Sequence, residues 1–245
     1  MTSRNTEFIS KETQLYVSFA ELPGNAGTVW FNKMFTHHNI NAVYKAFQID
    51  RSDFGKAWDG VKSLKIAGGA ISMPFKRQAA QLVDEVRGIA QRIGTINTFR
   101  RDEHGKYEGF NTDYIAALRA LPDRASSVYM LGAGGVAAAI ALATQEKNLP
   151  SFKVVSRNRE NICIPGGVNF EWESWDQLPY LPGPEVLVNC TPLGMVPTAE
   201  LQIPVSWWGN LKLAIDLTYR PEGNAFSVLC KQKGIPLIDG KMFSR

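Results

Sequence analysis

The sequence predicts an α/β fold made of two α/β domains with a ligand-binding cleft between them. Its 245 residues suffice for two small domains, and its 44% hydrophobic content is typical of a globular protein. Two patterns support this fold class. Short apolar strands alternate with helical segments in the first half, and in the second half an apolar strand leads through a glycine-rich turn into an alanine-rich helix. Such alternation is typical of parallel sheets covered by helices.

The first half of the chain predicts a β-α-β-α-β series followed by a hairpin. Strands are expected at residues 13–19, 43–49 and 66–73, helices at 28–38 and 52–64, the antiparallel hairpin at 96–111 and a connecting helix at 112–121. The turn of the hairpin is expected at Asp102, Glu103, His104 and Gly105. The series indicates a parallel α/β unit in this half.

The two helices of this series carry apolar residues at helical spacing. The residues expected to share a face are Trp30, Met34 and Phe35 in the first helix and Phe54, Trp58 and Val61 in the second. Ser52 is a candidate N-cap of the second helix, because its hydroxyl can accept a bond from a free backbone N–H.

The second half predicts a second α/β unit that begins at Ser127. Its strands are expected at residues 127–131, 152–156, 186–190 and 213–217, and a late helix at 224–233. Between Ser156 and Val168 the sequence offers no crossover helix. The stretch around Pro165 is expected to be a loop.

A glycine-rich turn joins the first strand of this unit to the alanine-rich helix. Gly132 permits a tight turn, Gly134 lets the backbone approach a pyrophosphate, and Ala137 lets the helix pack closely on the strand. The helix N-terminus offers free N–H groups to phosphates. The residues predicted to bind a dinucleotide here are Gly132, Ala133, Gly134, Gly135, Val136 and Ala137. The alternative is an ordinary tight turn.

Two arginines follow the second strand of this unit, in the run Ser156, Arg157, Asn158 and Arg159. Enzymes that bind NAD usually carry Asp or Glu here to hold the ribose 2′-OH, whereas arginine suits a 2′-phosphate. The run therefore favours NADP over NAD. The alternative is a solvated basic turn.

Polar residues follow several other predicted strands, where open parallel sheets bind ligands. Lys76 ends the run Ser-Met-Pro-Phe-Lys after the third strand and could donate or accept a proton, or it could be a surface lysine that begins a helix. Asn97 and Asp113 could contact a substrate, or they could be turn and N-cap residues. The run from Asn189 to Met195 could lie along the nicotinamide end of a cofactor, or it could be a simple strand exit.

The composition excludes several classes of protein. The net charge of +4 without a basic run does not indicate nucleic-acid binding, although it is compatible with an anionic small ligand. No apolar run approaches the length of a membrane span, and residues 1–5 lack the apolar core of a signal peptide. Three distant cysteines suggest reduced thiols in a cytoplasmic protein, and the three histidines lack the spacing of metal ligands, so no metal is expected.

Six ordered motifs together resemble those of the shikimate dehydrogenase family. They are Ser-Met-Pro-Phe-Lys at 72–76, Ile-Asn-Thr at 96–98, Asn-Thr-Asp at 111–113, Gly-Ala-Gly-Gly at 132–135, Asn-x-Thr-Pro-Leu-Gly-Met at 189–195 and Asp-Leu-Thr-Tyr-Arg-Pro at 216–221. The resemblance spans about residue 13 to the C-terminus, and six motifs in order are far more specific than one.

This resemblance implies an NADP-dependent oxidoreductase that interconverts 3-dehydroshikimate and shikimate, or oxidises a similar ring hydroxy acid. Lys76 would be the acid/base at the carbinol oxygen, and Asp113 would contact the same hydroxyl. The further substrate contacts would be Asn25, Thr28, Ser72, Asn97 and Tyr219. The cofactor contacts would be the glycine turn, residues 156–159, and Asn189, Thr191, Pro192, Leu193, Gly194, Met195, Leu217 and Gly240.

The resemblance also implies a domain division. Residues 1–111 would form the N-terminal substrate-binding and catalytic domain, residues 112–239 a Rossmann-type NADP-binding domain, and residues 240–245 the start of a shortened C-terminal return segment. The partner would be a small anionic ring hydroxy acid, without nucleic acid or membrane, in a monomer or homodimer.

The sequence departs from the family pattern at the substrate end. The family grips the substrate carboxylate with Ser-x-Ser-Pro followed by His-Asn, and these serines, the proline and the histidine fall on Asn25, Gly27, Thr28 and Phe31. A further family asparagine falls on Ala70. These changes resemble a shikimate dehydrogenase-like subgroup. They keep two alternatives open: a quinate or aminoshikimate dehydrogenase, or a cofactor-binding protein with weak catalysis.

Overall fold

The computed structural model describes residues 9–218, 220 and 222–243. It divides into two compact units, Met1–Asn111 and Thr112–Arg245. Each unit contains one six-stranded sheet. The α/β fold class predicted from the sequence is therefore confirmed.

The first unit contains a mixed sheet. Its strands are β1 (Gln14–Ala20), β2 (Ala42–Gln48), β3 (Gly68–Ile71), β4 (Glu85–Val86), β5 (Thr98–Arg101) and β6 (Tyr107–Phe110), and its helices are α1 (Ala26–His37), α2 (Phe54–Ser63), α3 (Lys76–Leu82) and α4 (Ile89–Ile93). The strand order is β2-β1-β3-β5-β6-β4. β1 runs parallel to β2 and β3, and the β5–β6 hairpin joins β3 in antiparallel fashion.

The three predicted strands, the two predicted helices and the hairpin of this unit are confirmed. The structure adds β4, α3 and α4, which are two, seven and five residues long. Segments this short show less than two turns of helical periodicity or only one strand repeat, so the apolar pattern gives no signal for them.

Two details of the helix predictions are wrong. Ser52 does not cap α2, because it lies inside a 3₁₀ turn at Arg51–Asp53 and Asp53 occupies the N-cap position. Trp30 is 55% exposed and does not share the packed face of α1. Instead, Phe31 stacks on Tyr44, with ring centroids 4.6 Å apart.

The core of the first unit is aromatic, as the spacing in the second predicted helix indicates. The Phe54 ring stacks on Phe75 with centroids 4.5 Å apart, and Trp58 meets Phe99 edge to face at 5.0 Å. The glycines of β3 permit this packing. A Cβ atom on Gly69 would lie 2.1 Å from the Val17 carbonyl oxygen, so only glycine fits there.

The second unit contains an all-parallel, Rossmann-like sheet. Its strands are β7 (Val128–Leu131), β8 (Phe152–Ser156), β9 (Glu171–Ser174), β10 (Val186–Asn189), β11 (Leu213–Asp216) and β12 (Leu237–Asp239), in the order β12-β11-β10-β7-β8-β9. Its helices are α5 (Asp113–Ala120), α6 (Ala137–Glu146), α7 (Ala225–Gln232) and α8 (Gly240–Phe243). The register is parallel at every pair of neighbouring strands.

The predicted elements of this unit are confirmed in order. The alanine-rich helix α6 is buried along most of its length, because small side chains let it lie close to the sheet. Between β8 and β9 the chain forms only a 3₁₀ turn at Arg159–Asn161, as the lack of a crossover helix in the sequence indicates. The sequence does not predict β9 and β12, which are short edge strands of four and three residues.

In the part of the chain that the structure describes, no helix is long and apolar enough to cross a membrane. The same residues contain no group of three His, Cys, Asp or Glu side chains that could hold a metal ion. Cys163, Cys190 and Cys230 are free thiols.

Candidate active site

The carboxyl edge of the second sheet carries the segments that the sequence predicts to bind a cofactor. β7 lies between β8 and β10, so the chain leaves β7 toward one side of the sheet and later returns on the other. Such a reversal of strand order opens a crevice at the carboxyl ends of the two central strands, where ligands of parallel α/β sheets bind. The glycine turn after β7 and the loop after β10 lie side by side at this point.

Gly132 must be glycine. Its φ is +85°, and a Cβ atom there would lie 2.8 Å from Cγ2 of Thr191. The Gly132 N–H donates to the Val155 carbonyl at 2.8 Å, which fixes the start of the turn between β7 and α6 against the neighbouring strand β8. A Cβ atom on Gly134, in contrast, would meet nothing closer than the Cys190 carbonyl at 3.9 Å. The turn therefore leaves open space beside Gly134 into which a ligand could fit.

The start of α6 offers hydrogen-bond donors. The first backbone bond of the helix runs from Ala137 N–H to the Gly134 carbonyl at 3.0 Å. The N-cap position, Val136, has no side-chain cap, and the first turn contains no acidic residue. Among the described residues, the N–H groups of Ala133, Gly134, Gly135 and Val136 donate to no backbone carbonyl. These donors and the helix dipole suit a phosphate group.

The arginine run after β8 is anchored at one end and exposed at the other. Ser156 is buried; its hydroxyl accepts a bond from Trp172 Nε1 at 3.0 Å and donates to the Asn158 carbonyl at 3.2 Å. Arg157, Asn158 and Arg159 are exposed. Within the described ranges neither arginine forms an ion pair, so both guanidinium groups are available to an anion.

Asn189 begins the run that the sequence predicts to border a cofactor, and its side chain is 0% exposed and bonded within the protein. A contact between this residue and a cofactor stays a prediction for its backbone. Its Oδ1 accepts bonds from the N–H and the hydroxyl of Thr191 at 3.0 and 2.6 Å, and its Nδ2 donates to the Leu193 carbonyl at 3.0 Å. Asn189 therefore shapes the loop from inside. Thr191, Pro192, Leu193 and Met195 retain exposed or half-buried positions at the sheet edge, whereas Gly194 is buried.

Two further predicted contacts lie at the ends of β11 and β12. Leu217 follows β11, and Gly240 begins α8 after β12. Gly240 N–H donates to the Thr218 carbonyl at 3.1 Å, and a Cβ atom on Gly240 would lie 2.8 Å from the Leu217 carbonyl oxygen. The two segments are thus in contact. Tyr219, which the sequence predicts as a substrate contact, lies outside the described residues.

Sequence reasoning missed the role of Asp216. This carboxylate is 1% exposed at the end of β11 and accepts bonds from Asn189, Thr218 and Asn224. The available signal was an acidic residue at the end of the apolar run Leu-Ala-Ile-Asp, because a buried charge must be hydrogen-bonded. The spacing of residues along the sequence does not indicate which groups donate hydrogen bonds to Asp216.

Asp113 is the first residue of α5 and follows the N-cap position, Thr112. It is half-buried. The pKa of the Cys190 thiol is raised, first by burial and then by the negative charges of Asp113 and Asp216. The carboxylate of Asp113 therefore acts electrostatically at the end of β10, in the same unit as the cofactor-binding segments.

Lys76, Ser72 and Asn97 belong to the first unit, and backbone bonds bring them to one edge of its sheet. Ile71 N–H donates to the Asn97 carbonyl at 2.8 Å, which places Ser72 beside Asn97. Ile96 N–H donates to the Lys76 carbonyl at 3.0 Å, which places the start of α3 against the same strand end. Lys76 is half-buried, and Ser72 is exposed. The predicted polar residues at the end of β3 are therefore neighbours.

The N-terminal turn of α1 carries Asn25 and Thr28. Asn25 is exposed at the N-cap position, where its side chain makes no capping bond. The Oγ1 atom of Thr28 is buried and has no hydrogen-bond partner among the described residues. Asn32 fixes this turn, because its Nδ2 donates to the Thr28 carbonyl and to the Tyr44 carbonyl, each at 2.8 Å.

Together these features define a two-unit α/β protein in which the second unit has the architecture of a dinucleotide-binding fold. A family model described as the shikimate dehydrogenase substrate binding domain matches residues 27–99. A shikimate dehydrogenase-like protein of Haemophilus influenzae is 30% identical over 242 residues, which cover 95% of this chain and 86% of that protein. The chain therefore belongs to the shikimate dehydrogenase family.

Other relatives agree with this assignment. A shikimate dehydrogenase (NADP(+)) of Clostridium perfringens is 28% identical over 217 residues, which cover 85% of this chain and 79% of that protein. The crystal structure of shikimate dehydrogenase 1 from Peptoclostridium difficile has the same fold, with a TM-score of 0.84 at 23% identity over 94% of this chain and 87% of that chain.

Two solved structures of the same fold contain ligands. A shikimate dehydrogenase in complex with NADP⁺ has a TM-score of 0.76 at 24% identity, covering 97% of this chain and 88% of that chain. A shikimate 5-dehydrogenase from Listeria monocytogenes in complex with shikimate and NAD has a TM-score of 0.77 at 20% identity, covering 98% and 90%.

Proposed function

We propose that this protein is an NADP-dependent oxidoreductase that interconverts 3-dehydroshikimate and shikimate, or a closely similar ring hydroxy acid. The observation that carries the proposal is family membership across both units, since the similarity covers 95% of the chain. Because of this membership, both the sheet edge suited to a dinucleotide in the second unit and the sheet edge that holds Lys76 in the first unit can be interpreted by the chemistry of one family of oxidoreductases.

The residues at the second sheet fit NADP. The free N–H groups at the start of α6 would hold the pyrophosphate, which would lie in the open space beside Gly134. Arg157 and Arg159 would pair with the 2′-phosphate. The loop from Thr191 to Met195, with Leu217 and Gly240, would border the nicotinamide end. When bound, the cofactor supplies or accepts the hydride.

The chain's own task in the reaction is to bind the substrate and to manage one proton. Lys76 would donate a proton to the carbonyl oxygen during reduction and take it back during oxidation. Asp113 would contact the same hydroxyl. Asn97 and Ser72, which lie beside Lys76 at the end of β3, would hold the ring hydroxyls. Tyr219 would line the pocket, as the family resemblance implies.

The role of Lys76 is testable by substitution. Lys76→Ala is expected to abolish turnover while NADP⁺ binding stays at the wild-type level, because the lysine acts on the substrate proton alone. Stopped-flow turnover and isothermal titration with NADP⁺ measure the two properties. Lys62→Ala, which removes an exposed lysine of α2, is the matched control and should retain full activity. A Lys76→Ala enzyme with most of the wild-type rate would disprove this mechanism.

Quinate or aminoshikimate is the second candidate substrate. The N-terminal turn of α1 is the reason to test it, because Asn25 and Gly27 stand in place of two serines of the family and Thr28 stands in place of its proline, a departure that resembles the shikimate dehydrogenase-like subgroup. Losing a hydrogen bond to a charged group costs on the order of 1.5–3 kcal/mol, so the affinity for a ring carboxylate could fall by orders of magnitude, and contacts to the other ring substituents would then decide the substrate. Initial rates of NADP⁺ reduction with shikimate, quinate and aminoshikimate in parallel, with NAD⁺ as the control cofactor, distinguish the substrates.

The same assay tests the non-catalytic alternative. Turnover with any ring hydroxy acid would rule this alternative out. If the protein binds NADP⁺ and turns over none of these three acids, the cofactor half functions and the substrate must be sought elsewhere. Turnover with shikimate and NADP⁺ would show that Asn25 and Thr28 replace the missing hydroxyl donors. Turnover with quinate alone would assign the second substrate.

A further inference from the structure

We propose that Asp216 is a positioning residue that sets the conformation of the loop Thr191–Met195 for the cofactor, through a buried network with Asn189 and Asn224. The inference rests on the proposed function only for the identity of the ligand. The network itself follows from contacts among residues of the second unit.

Both oxygens of the Asp216 carboxylate accept hydrogen bonds, and all the donors are neutral groups. Its Oδ1 atom accepts bonds from Asn189 Nδ2 at 2.9 Å and from the hydroxyl and the N–H of Thr218 at 2.9 and 3.1 Å. Its Oδ2 atom accepts a bond from Asn224 Nδ2 at 2.8 Å. In the described part of the chain no lysine or arginine pairs with it. Because the charge is 1% exposed, these bonds replace its hydration and must persist.

The Asn189 branch leads directly into the loop. The Asn189 amide is oriented by Asp216 on one side and shapes the loop on the other. Its Oδ1 holds the Thr191 N–H and hydroxyl, and its Nδ2 holds the Leu193 carbonyl. The Thr191 hydroxyl in turn accepts the Leu193 N–H at 3.1 Å. The backbone from residue 189 to 193 is therefore closed by side-chain bonds that depend on one carboxylate.

Asn224, the second amide bonded to Asp216, packs directly against the loop at Gly194. Asn224 caps α7, where its Oδ1 accepts the Ser227 N–H at 2.8 Å, so its side chain is fixed. Gly194 has a φ of +100°, and a Cβ atom there would lie 2.6 Å from Asn224 Nδ2. The backbone of the loop at Gly194 is therefore in direct contact with the Asn224 side chain of the network.

The loop in turn forms one wall beside the glycine turn. A Cβ atom on Gly132 would lie 2.8 Å from Thr191 Cγ2, so a displaced Thr191 would change the space next to the predicted pyrophosphate site. A change at Asp216 should therefore reach the ligand through Thr191, although Asp216 itself is buried.

Asp216→Asn tests the network at one atom. Three donors occupy Oδ1, so the new amide nitrogen should take the place of Oδ2, where it faces the donor Nδ2 of Asn224. Two donors then oppose each other in a buried site. We expect amide hydrogen exchange at Thr191 and Leu193 in the ligand-free protein to accelerate by roughly tenfold or more, and the NADP⁺ dissociation constant to rise by about tenfold.

The double variant Asp216→Asn with Asn224→Asp restores complementarity. In the wild type the Thr218 hydroxyl donates to Asp216 Oδ1 and accepts a bond from Asn224 Nδ2 at 3.1 Å. In the double variant the new amide at position 216 would donate to the new carboxylate at position 224, and the Thr218 hydroxyl would turn to donate to the same carboxylate. The oxygen at position 216 would keep the bonds from Asn189 Nδ2 and the Thr218 N–H, and the new carboxylate would still accept the Ser227 N–H as the cap of α7. The net charge is unchanged. We expect slow exchange at Thr191 and Leu193 and tight NADP⁺ binding to return, which a general loss of stability would not allow.

Glu108→Gln is the matched control. Glu108 is also a buried carboxylate, held by Arg87 and Arg100, but it lies in the first unit. This variant is expected to lower the free energy of unfolding while exchange at Thr191 and Leu193 stays at the wild-type rate.

The inference is overturned if Asp216→Asn leaves exchange at Thr191 and Leu193 unchanged, or if the double variant does not reverse the effect. It is also overturned if exchange accelerates while NADP⁺ binding is unaffected, because the loop then does not serve the cofactor. If the wild type binds neither NADP⁺ nor NAD⁺, the proposed function fails, and the exchange rates still decide whether the network holds the loop.

Discussion

At the scale of single residues, the second unit has exposed charged groups after β8 and buried polar groups that hold the loop after β10. Arg157 and Arg159 are exposed and form no ion pair in the described ranges, whereas Asn189 and Asp216 are buried and fully bonded. The sequence identifies the arginines because their chemistry is local. It predicts that the run beginning at Asn189 borders a cofactor, and the structure adds that the side-chain amide of Asn189 is bonded inside the loop, because a motif does not show which way a side chain points.

The arginines should determine the choice between NADP⁺ and NAD⁺. Replacing both Arg157 and Arg159 by alanine is expected to weaken NADP⁺ binding by about 10²- to 10⁴-fold, because each of the two charge-assisted bonds to the phosphate is worth about 1.5–3 kcal/mol. NAD⁺ binding should not change, since NAD⁺ lacks the 2′-phosphate. Titration calorimetry with both cofactors measures the ratio.

Arg124→Ala is the control for this pair, because Arg124 is also exposed but lies before β7, at the opposite edge of the same sheet. It should leave both dissociation constants unchanged. An equal loss of NADP⁺ and NAD⁺ affinity in the arginine pair would contradict a role at the 2′-phosphate.

At the scale of elements, α1 covers the free edge of the first sheet. β2 is an edge strand, and the backbone N–H and C=O groups of Tyr44 point away from the neighbouring strand β1. Asn32 satisfies both groups, accepting the N–H at 2.9 Å and donating to the carbonyl at 2.8 Å. An uncovered strand edge is a template for pairing with another chain, so this amide also protects the edge.

Asn32→Ala should expose this edge. It leaves the Tyr44 N–H, the Tyr44 carbonyl and the Thr28 carbonyl without these partners, so the free energy of unfolding is expected to fall by about 1–3 kcal/mol. Self-association should increase with concentration. Urea denaturation and size-exclusion chromatography measure the two effects.

Lys33→Ala, an exposed neighbour on α1, should behave like the wild type in both experiments. If Asn32→Ala unfolds at the wild-type urea concentration and remains the same size, the amide neither stabilises nor protects the edge.

At the scale of the whole molecule, paired carboxylates should govern the dependence of stability on pH. The Lys212 ammonium and the Ser126 N–H lower the pKa of Glu185 from 4.5 to about 2. Arg100 and Arg87 lower the pKa of Glu108, and the Ala225 N–H and Arg220 lower that of Glu200. A carboxylate whose pKa is lower in the folded state stabilises the fold at a pH above its unfolded value and loses this effect as the pH falls through its folded value.

The stability of the protein is therefore expected to decline as the pH falls from about 4.5 toward about 2. Glu185→Gln should be less stable than the wild type near neutral pH, and the difference should shrink across this window because the wild-type carboxylate becomes protonated. Urea denaturation at a series of pH values measures both curves. A difference that stays constant down to about pH 2 would show that the pKa of Glu185 is not lowered by folding.

The sequence by itself determined the two α/β units, the strand–turn–helix around Gly132 and the exposed arginines after β8. Each of these depends on local physics, namely apolar periodicity, the positive φ that only glycine adopts easily, and the charge of neighbouring residues. The tertiary structure decided the rest. The Asp216 network joins groups up to 27 positions apart, and Asn32 reaches across 12 positions to Tyr44. Such bonds depend on which strands and helices become neighbours, and no local pattern in the chain encodes that choice.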